Sequence, residues 1–284
     1  MIDFMGKRLK NPLIAASCIA TESEESILRL AKGGVQGAIL KSCADYQRER
    51  ATMGKRQFAY EKSSGYTYAS SDFEREIMTL DEAIGLMHKV RPKTDILLIP
   101  SFTADNLCPE SWIPSCKRLE EAGADGIQLD FFYMGCLVGS EGFSQKLVRL
   151  LKDIQKAVNI PIMPKLNVNL PKDYVMPLLV EAGIEYVSLL DSVRSPYLEE
   201  RDGEYRISDR LDVNTTSCFG HWQLPLTLGY AHTAAKYGLK ICAGGGITSA
   251  EDVKKLLAVG ATTVQSATLL TKLSYEGVAR LGIA

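Results

Sequence analysis

The chain is short of most of the residue patterns that announce a chemistry. Its seven cysteines (18, 43, 108, 116, 136, 218 and 242) never form a Cys-x-x-Cys pair. That argues against a zinc ribbon or dithiol centre and points to reduced thiols in a cytoplasmic protein. Only three histidines are present, and none falls into a His/Cys/Asp spacing that resembles a metal site. There is no Gly-x-Ser-x-Gly elbow and no Walker sequence. Formal net charge is −1, without a block of one sign, so neither nucleic acid nor a membrane surface is an expected partner. No apolar run approaches ~18 residues and Met1-Ile-Asp-Phe-Met-Gly-Lys-Arg has no long apolar core, so no transmembrane or targeting segment is expected.

What the 284 residues do have is an ordinary globular composition, 46% hydrophobic and 24% charged, enough for a sizeable core. One pattern repeats. Ala31-Lys-Gly-Gly-Val-Gln-Gly-Ala-Ile-Leu, Glu121-Ala-Gly-Ala-Asp-Gly-Ile-Gln-Leu, Glu181-Ala-Gly-Ile-Glu-Tyr-Val-Ser-Leu and Ala258-Val-Gly-Ala-Thr-Thr-Val-Gln-Ser each end a helical pattern, supply a capping glycine and enter an apolar run. Four such joints imply repeated βα units and a parallel sheet.

Strands are expected at residues 13–16, 38–41, 96–100, 126–130, 162–166, 186–190, 240–243 and 263–266. Helices are expected at 23–30, 80–90, 111–121, 144–157, 171–181, 223–237 and 250–259, from apolar spacings of three and four. Eight short apolar strands alternating with helices fit a single (β/α)8 barrel spanning residues 1–284, with a short N-terminal hairpin. An open doubly wound sheet is the alternative, but it usually has fewer strands. It also carries a dinucleotide turn after its first strand, and Ser17-Cys-Ile-Ala is not one. Two connections, 43–79 after strand two and 191–222 after strand six, are long and rich in polar and aromatic residues. Arg201-Asp-Gly-Glu-Tyr within the second reads as a small hairpin.

The glycine-rich stretch Lys240-Ile-Cys-Ala-Gly-Gly-Gly-Ile-Thr-Ser and the later Val264-Gln-Ser-Ala-Thr read as two adjacent strand-to-helix turns. Loops seven and eight of such a barrel commonly hold a phosphate on backbone N–H groups, although glycines also serve turns that bind nothing. Lys41 and Lys165 end strands two and five. A lysine in an apolar strand calls for an anion or an electron-rich ligand, or else for an internal carboxylate such as Asp130 or Asp191, which end strands four and six. Tyr133 and Cys136, in the loop after strand four, are the proton-transfer candidates. His221 is expected to be structural rather than catalytic.

Taken together, Leu9-Lys-Asn-Pro-Leu-Ile-Ala-Ala-Ser, Leu40-Lys-Ser, Pro164-Lys-Leu, Leu189-Leu-Asp-Ser, Gly245-Gly-Ile and Val264-Gln-Ser-Ala-Thr resemble the dihydroorotate dehydrogenase-like family of FMN-dependent barrels over nearly the whole chain. The resemblance implies an FMN cofactor and hydride transfer at a CH–CH bond of a small molecule. It places the flavin phosphate on Gly245, Gly246, Ala267 and Thr268. The rest of the cofactor would run along Ala16, Ser17, Lys41, Ser42, Asp130, Asp191 and Ser192, with Lys165 beside the ring and stabilising its reduced form.

The chain departs from the family where substrate is held. Tyr133 falls at the catalytic-base position, and Asp130 and Asp191 stand where the family has asparagines. The expected substrate is therefore a carbonyl-conjugated or heterocyclic compound other than dihydroorotate. A tyrosine hydroxyl is a fair acid and a poor base, which favours reduction of that substrate. The alternatives are a barrel that holds flavin or another phosphate ligand without redox turnover, and a non-redox synthase acting on a phosphorylated small molecule. A second copy of the chain and an electron-transfer protein are the macromolecular partners left open.

Overall fold

The structure, a computed structural model, describes residues 1–45, 58–63, 66–71, 77–131, 139–194, 198–207, 217–267 and 270. Eight parallel strands form its centre: β1 (Leu13–Ala15), β2 (Gly37–Ile39), β3 (Leu97–Ile99), β4 (Ile127–Asp130), β5 (Ile162–Lys165), β6 (Tyr186–Leu189), β7 (Lys240–Gly244) and β8 (Thr263–Ser266). β1 to β3 pair in order, as do β4 to β8, and β8 pairs back onto β1. The seam between β3 and β4 lies at a proline. Pro100 has no N–H to give a ladder, so β3 pairs with β2 up to Ile99 while its continuation Ser101–Phe102 pairs with β4. The Pro100 carbonyl still accepts from the Gln128 N–H at 2.9 Å. The chain thus carries the eight-stranded arrangement of a (β/α)8 barrel across this seam.

Among the described residues seven helices cover the outside: α1 (Glu24–Lys32), α2 (Leu80–Val90), α3 (Pro109–Glu121), α4 (Phe143–Ala157), α5 (Lys172–Glu181), α6 (Leu224–Lys236) and α7 (Ala250–Ala258). All seven were expected from apolar spacing, with ends that move by up to two residues. In α4 the stripe Leu147, Leu150, Leu151 and Ile154 is buried against the barrel, each side chain contributing about 1.5–3 kcal/mol. The repeated joint has a single cause. Gly34, Gly123, Gly183 and Gly260 all adopt positive φ, between 77° and 109°, a left-handed conformation in which an L-residue's β-carbon comes too close to its own carbonyl oxygen. None of the described helices is long and apolar enough to cross a membrane.

The N-terminal hairpin pairs Ile2–Phe4 with Lys7–Leu9 through a two-residue turn in which Met5 and Gly6 both have positive φ. It plugs the bottom of the barrel. Phe4, Met5 and Leu9 pack with the lumen-facing Ile14, Ile39, Leu97, Ile99, Met163 and Cys242, and Phe4 meets Tyr186 edge to face at 5.2 Å. Above them Gln128 and Gln265 both donate to the Ser188 hydroxyl, at 2.8 and 2.7 Å. The strand period of two then lifts Lys41, Asp130 and Lys165 into the next layer, at the C-terminal mouth.

The two long connections are not independent loops. Tyr66–Ser71 pairs with Phe58–Ser63 on one side and with Ser217–Gly220 on the other, and Val193–Arg194 joins Ser217–Cys218. Segments following β2 and β6 thus share one four-stranded antiparallel sheet, which the sequence reading did not foresee. The expected small hairpin is present as Leu198–Arg201 with Glu204–Ile207, turning at Asp202 and Gly203, both at positive φ.

Candidate active site

The mouth of the barrel carries a continuous polar network built from strand ends. Asp130, opposite Lys165 in the β4–β5 register, accepts a hydrogen bond from the Ser42 hydroxyl at 2.8 Å. Ser42 in turn lies 3.3 Å from the hydroxyls of both Ser17 and Ser101. Lys165 Nζ sits 2.7 Å from Asp191 Oδ2 and 3.9 Å from Asp130 Oδ2. The first approach is close but off the hydrogen-bond axis, so it is an ion contact rather than an aligned bond. Asp191 Oδ1 accepts from the Ser192 N–H at 2.7 Å and from its hydroxyl at 3.3 Å. The side chains of Asp130, Lys165 and Asp191 are 0, 7 and 5% exposed. Charges buried this deeply persist only when matched.

Of the residues singled out in the sequence, Ser17, Ser42, Asp130, Lys165, Asp191 and Ser192 therefore form one cluster. Lys41 is buried at the end of β2, its N–H bonded to the Thr21 carbonyl. Ala16 is tied by its N–H to the Ser266 carbonyl at 3.1 Å, which holds the ends of β1 and β8 together. The internal carboxylate that was one reading of Lys165 is present; Asp191 supplies it. Tyr133, Cys136 and Thr268 lie outside the described residues. Burial pushes the thiols of Cys116 and Cys242 up to about 12 and that of Cys43 higher still. These three are packing groups rather than nucleophiles.

The second half of the site is the glycine turn after β7. Gly245 and Gly246 have φ of 100° and 88°. A β-carbon on Gly246 would lie 2.4 Å from the Leu224 backbone nitrogen, and one on Gly245 would lie 2.9 Å from the ends of Gln223 and Thr227. The start of α6 thus presses on the turn and requires both glycines, whether or not a ligand binds. The same packing fixes the peptide planes. The Thr227 hydroxyl lies 2.9 Å from the Gly245 carbonyl, and His221 Nδ1 lies 3.0 Å from that of Gly246. In a trans peptide the N–H opposes the C=O, so the N–H groups of Gly246 and Ile247 face away from α6. Among the described residues nothing accepts from either, although both residues are buried. Buried N–H groups left this way are normally met by water or a ligand. Ala267, half-buried, follows β8.

One expectation is corrected here. The N-terminus of α7 was read as a source of free N–H groups at Thr248 and Ser249, but both donate to Asp252 Oδ2 at 3.0 Å. Burial alone would raise the Asp252 carboxyl. The hydrogen bonds from the Thr248 backbone and the Ser249 and Thr248 side chains outweigh it and hold the carboxyl below its usual value. A lowered folded-state value means that this stabilisation is complete above the ordinary carboxylate pKa and fades as the pH falls through the lowered one. Asp252→Ala is expected to cost about 1–2 kcal/mol at pH 7. The difference from wild type should shrink in denaturant titrations taken well into the acid range.

Sequence reasoning missed Gln223, which joins the two halves. Its side-chain amide donates to the Asp191 carbonyl while it packs against Gly245. A lone glutamine before a Leu-Pro helix start gives no signal in the sequence. Thr227 and Asp252 were equally invisible.

No family model matches this chain. It is similar to the catalytic subunit of a dihydroorotate dehydrogenase B (NAD(+)) from Thermoplasma acidophilum, 23% identical, with 93% of this chain and 85% of the relative covered. A dihydroorotate dehydrogenase A (fumarate) from Limosilactobacillus reuteri is 25% identical over the same shares. An isopentenyl-diphosphate delta-isomerase from Methanococcus aeolicus is 23% identical over 72% of this chain and 60% of its own. Among solved structures, DHODH from Eimeria tenella in complex with ferulenol superposes with a TM-score of 0.75 over 99% of this chain and 82% of its own, at 14% identity. The fold is that of the dihydroorotate dehydrogenases, and the likeness in sequence runs nearly end to end.

Proposed function

We propose that the barrel is a single FMN-binding domain and that it reduces or oxidises a small molecule other than dihydroorotate. The observation that carries the reading is the pairing, at one mouth, of two backbone N–H groups from which no described residue accepts with a buried lysine. The phosphate would rest on Gly245, Gly246, Ala267 and Thr268. The remainder of the cofactor would lie along Ala16, Ser17, Lys41, Ser42 and Lys165, in reach of Asp130, Asp191 and Ser192. When bound, the flavin supplies hydride chemistry. The chain's own part is to hold the phosphate on fixed dipoles and to keep a cation at the ring through Lys165.

Asp130 and Asp191 support the choice of substrate. Both carboxylates are already engaged by Ser42, Ser192 and Lys165, so the mouth offers an anionic substrate little attraction and some repulsion. A neutral carbonyl-conjugated or heterocyclic compound suits it better. Tyr133 is the proposed proton donor to that substrate, with Cys136 as the alternative.

Purified protein is expected to carry a bound chromophore absorbing near ~450 nm, to release FMN on denaturation, and to show no bleaching with dihydroorotate. A colourless preparation that also fails to take up added FMN removes the flavin reading. The likeness to isopentenyl-diphosphate delta-isomerases favours a second reading, a phosphate-ligand barrel without net redox turnover. It predicts bound flavin that no substrate candidate reoxidises.

A further inference from the structure

His221 opens a 3-10 turn (His221–Gln223) directly after Ser217–Gly220, the strand that pairs with Tyr66–Ser71. Its Nδ1 has two neighbours, the Gly246 carbonyl at 3.0 Å and the Thr248 hydroxyl at 3.1 Å. A carbonyl can only accept, so this nitrogen must carry the proton. The Thr248 hydroxyl gives its own hydrogen to Asp252 Oδ2 at 3.1 Å, which leaves its oxygen to accept from the imidazole. The buried carboxylate, 3% exposed, stands 3.6 Å behind. Asp252, Thr248 and His221 therefore form a directed chain that sets the tautomer by the network and ends on the carbonyl of the glycine turn.

That chain has a purpose beyond capping α7. Gly246 leaves its ψ free to swing; β-branched Ile247 bars a full turn-over of the Gly246–Ile247 peptide, but a swing of that peptide would turn its N–H away from an incoming anion. The His221 bond holds the carbonyl outward.

We propose that His221 is a positioning residue for a phosphate monoester: it fixes the Gly246–Ile247 peptide with its N–H toward the cradle. The inference deepens the flavin reading and rests on its phosphate half. The residue is half exposed, 44% for the side chain, so replacing it should leave the fold intact.

The test titrates the full chain, stripped of any flavin, with inorganic phosphate, FMN and riboflavin, which lacks the phosphate. His221→Ala is expected to weaken FMN and inorganic phosphate by about tenfold, the worth of one partly buried hydrogen bond, and to leave riboflavin unchanged. His221→Asn places an amide N–H where Nδ1–H stood and should stay within about threefold of wild type on all three. His221→Leu, which keeps bulk without a donor, should behave as alanine does and guards against a packing effect. Equal weakening of FMN and riboflavin, or unchanged phosphate affinity in both His221→Ala and His221→Leu, overturns the proposal. Wild-type protein that binds phosphate but neither flavin removes the flavin reading; loss of that binding in His221→Ala then still supports the positioning role. Wild-type protein that binds none of the three overturns both.

Discussion

Lys165→Met is expected to destabilise the barrel by about 3–5 kcal/mol, the cost of removing one member of a buried ion pair. The methionine fills much the same volume, so the loss comes from charge. Asp191 and Asp130 would keep their carboxylates almost wholly buried, with Ser42 and Ser192 as hydrogen-bond donors and without the ammonium at 2.7 and 3.9 Å. The melting temperature should fall by roughly 10 °C for a chain of this size. Lys165→Met/Asp191→Asn should recover about half of the loss, because the amide needs no counter-ion. A double variant no more stable than the single one would mean that Asp191 is not the partner that matters. In protein that holds flavin, the single variant is also expected to lower the flavin midpoint potential, since a cation beside the ring favours its reduced form.

The second large effect is expected at Gly246. Gly246→Ala forces a side-chain-bearing residue to φ near 88° and drives its β-carbon to within 2.4 Å of a backbone nitrogen that begins a helix. Left-handed backbone costs an L-residue about 1–2 kcal/mol, and overpacking against an element that cannot move adds about 1–3 kcal/mol. A total near 3 kcal/mol or more is expected. Gly229→Ala is the control. Gly229 lies inside α6 with nothing within 4 Å of the added carbon, and alanine there should stabilise by roughly 0.5–1 kcal/mol. Chemical denaturation of the two variants should therefore move in opposite directions. Equal effects would show that the turn gives way where α6 meets it.

The barrel was legible because its information is local and repeated. An apolar run of four residues after a capping glycine reads as a buried strand wherever it occurs, and Gly34, Gly123, Gly183 and Gly260 mark four of the eight. A fifth joint, Tyr237-Gly238-Leu239, has the same positive φ at Gly238 but follows an alanine-rich stretch with a weaker pattern. Lys41, Asp130 and Lys165 were legible for the same reason: a charged residue two positions beyond a lumen-facing one must lie at the mouth. Which partner each takes was not legible. That depends on rotamers and on distances across the ring, and Asp191 could have faced either lysine.

The helix-start reading of α7 failed in an instructive way. The start of α7 looked like part of the anion site, and only the fold shows that Asp252 fills the place from within. The shared sheet formed after β2 and β6 escaped notice because its strands are rich in polar residues and carry no long apolar run. They also come from segments about 150 residues apart, so no window of the sequence contains Tyr66–Ser71 together with Ser217–Gly220, the partner that joins the two connections.

That sheet makes the two insertions a single unit of inheritance. Tyr66–Ser71 finds one edge in its own hairpin and the other in Ser217–Gly220, so changing the length or register of either insertion strips hydrogen bonds from its counterpart. Moving one of them alone onto a related barrel would carry an unpaired strand edge with it, and such edges invite association with other chains. Grafts between barrels of this kind should therefore exchange both segments together, with the turn at His221 that follows the second. A graft of one alone is predicted to lose solubility before it loses the barrel.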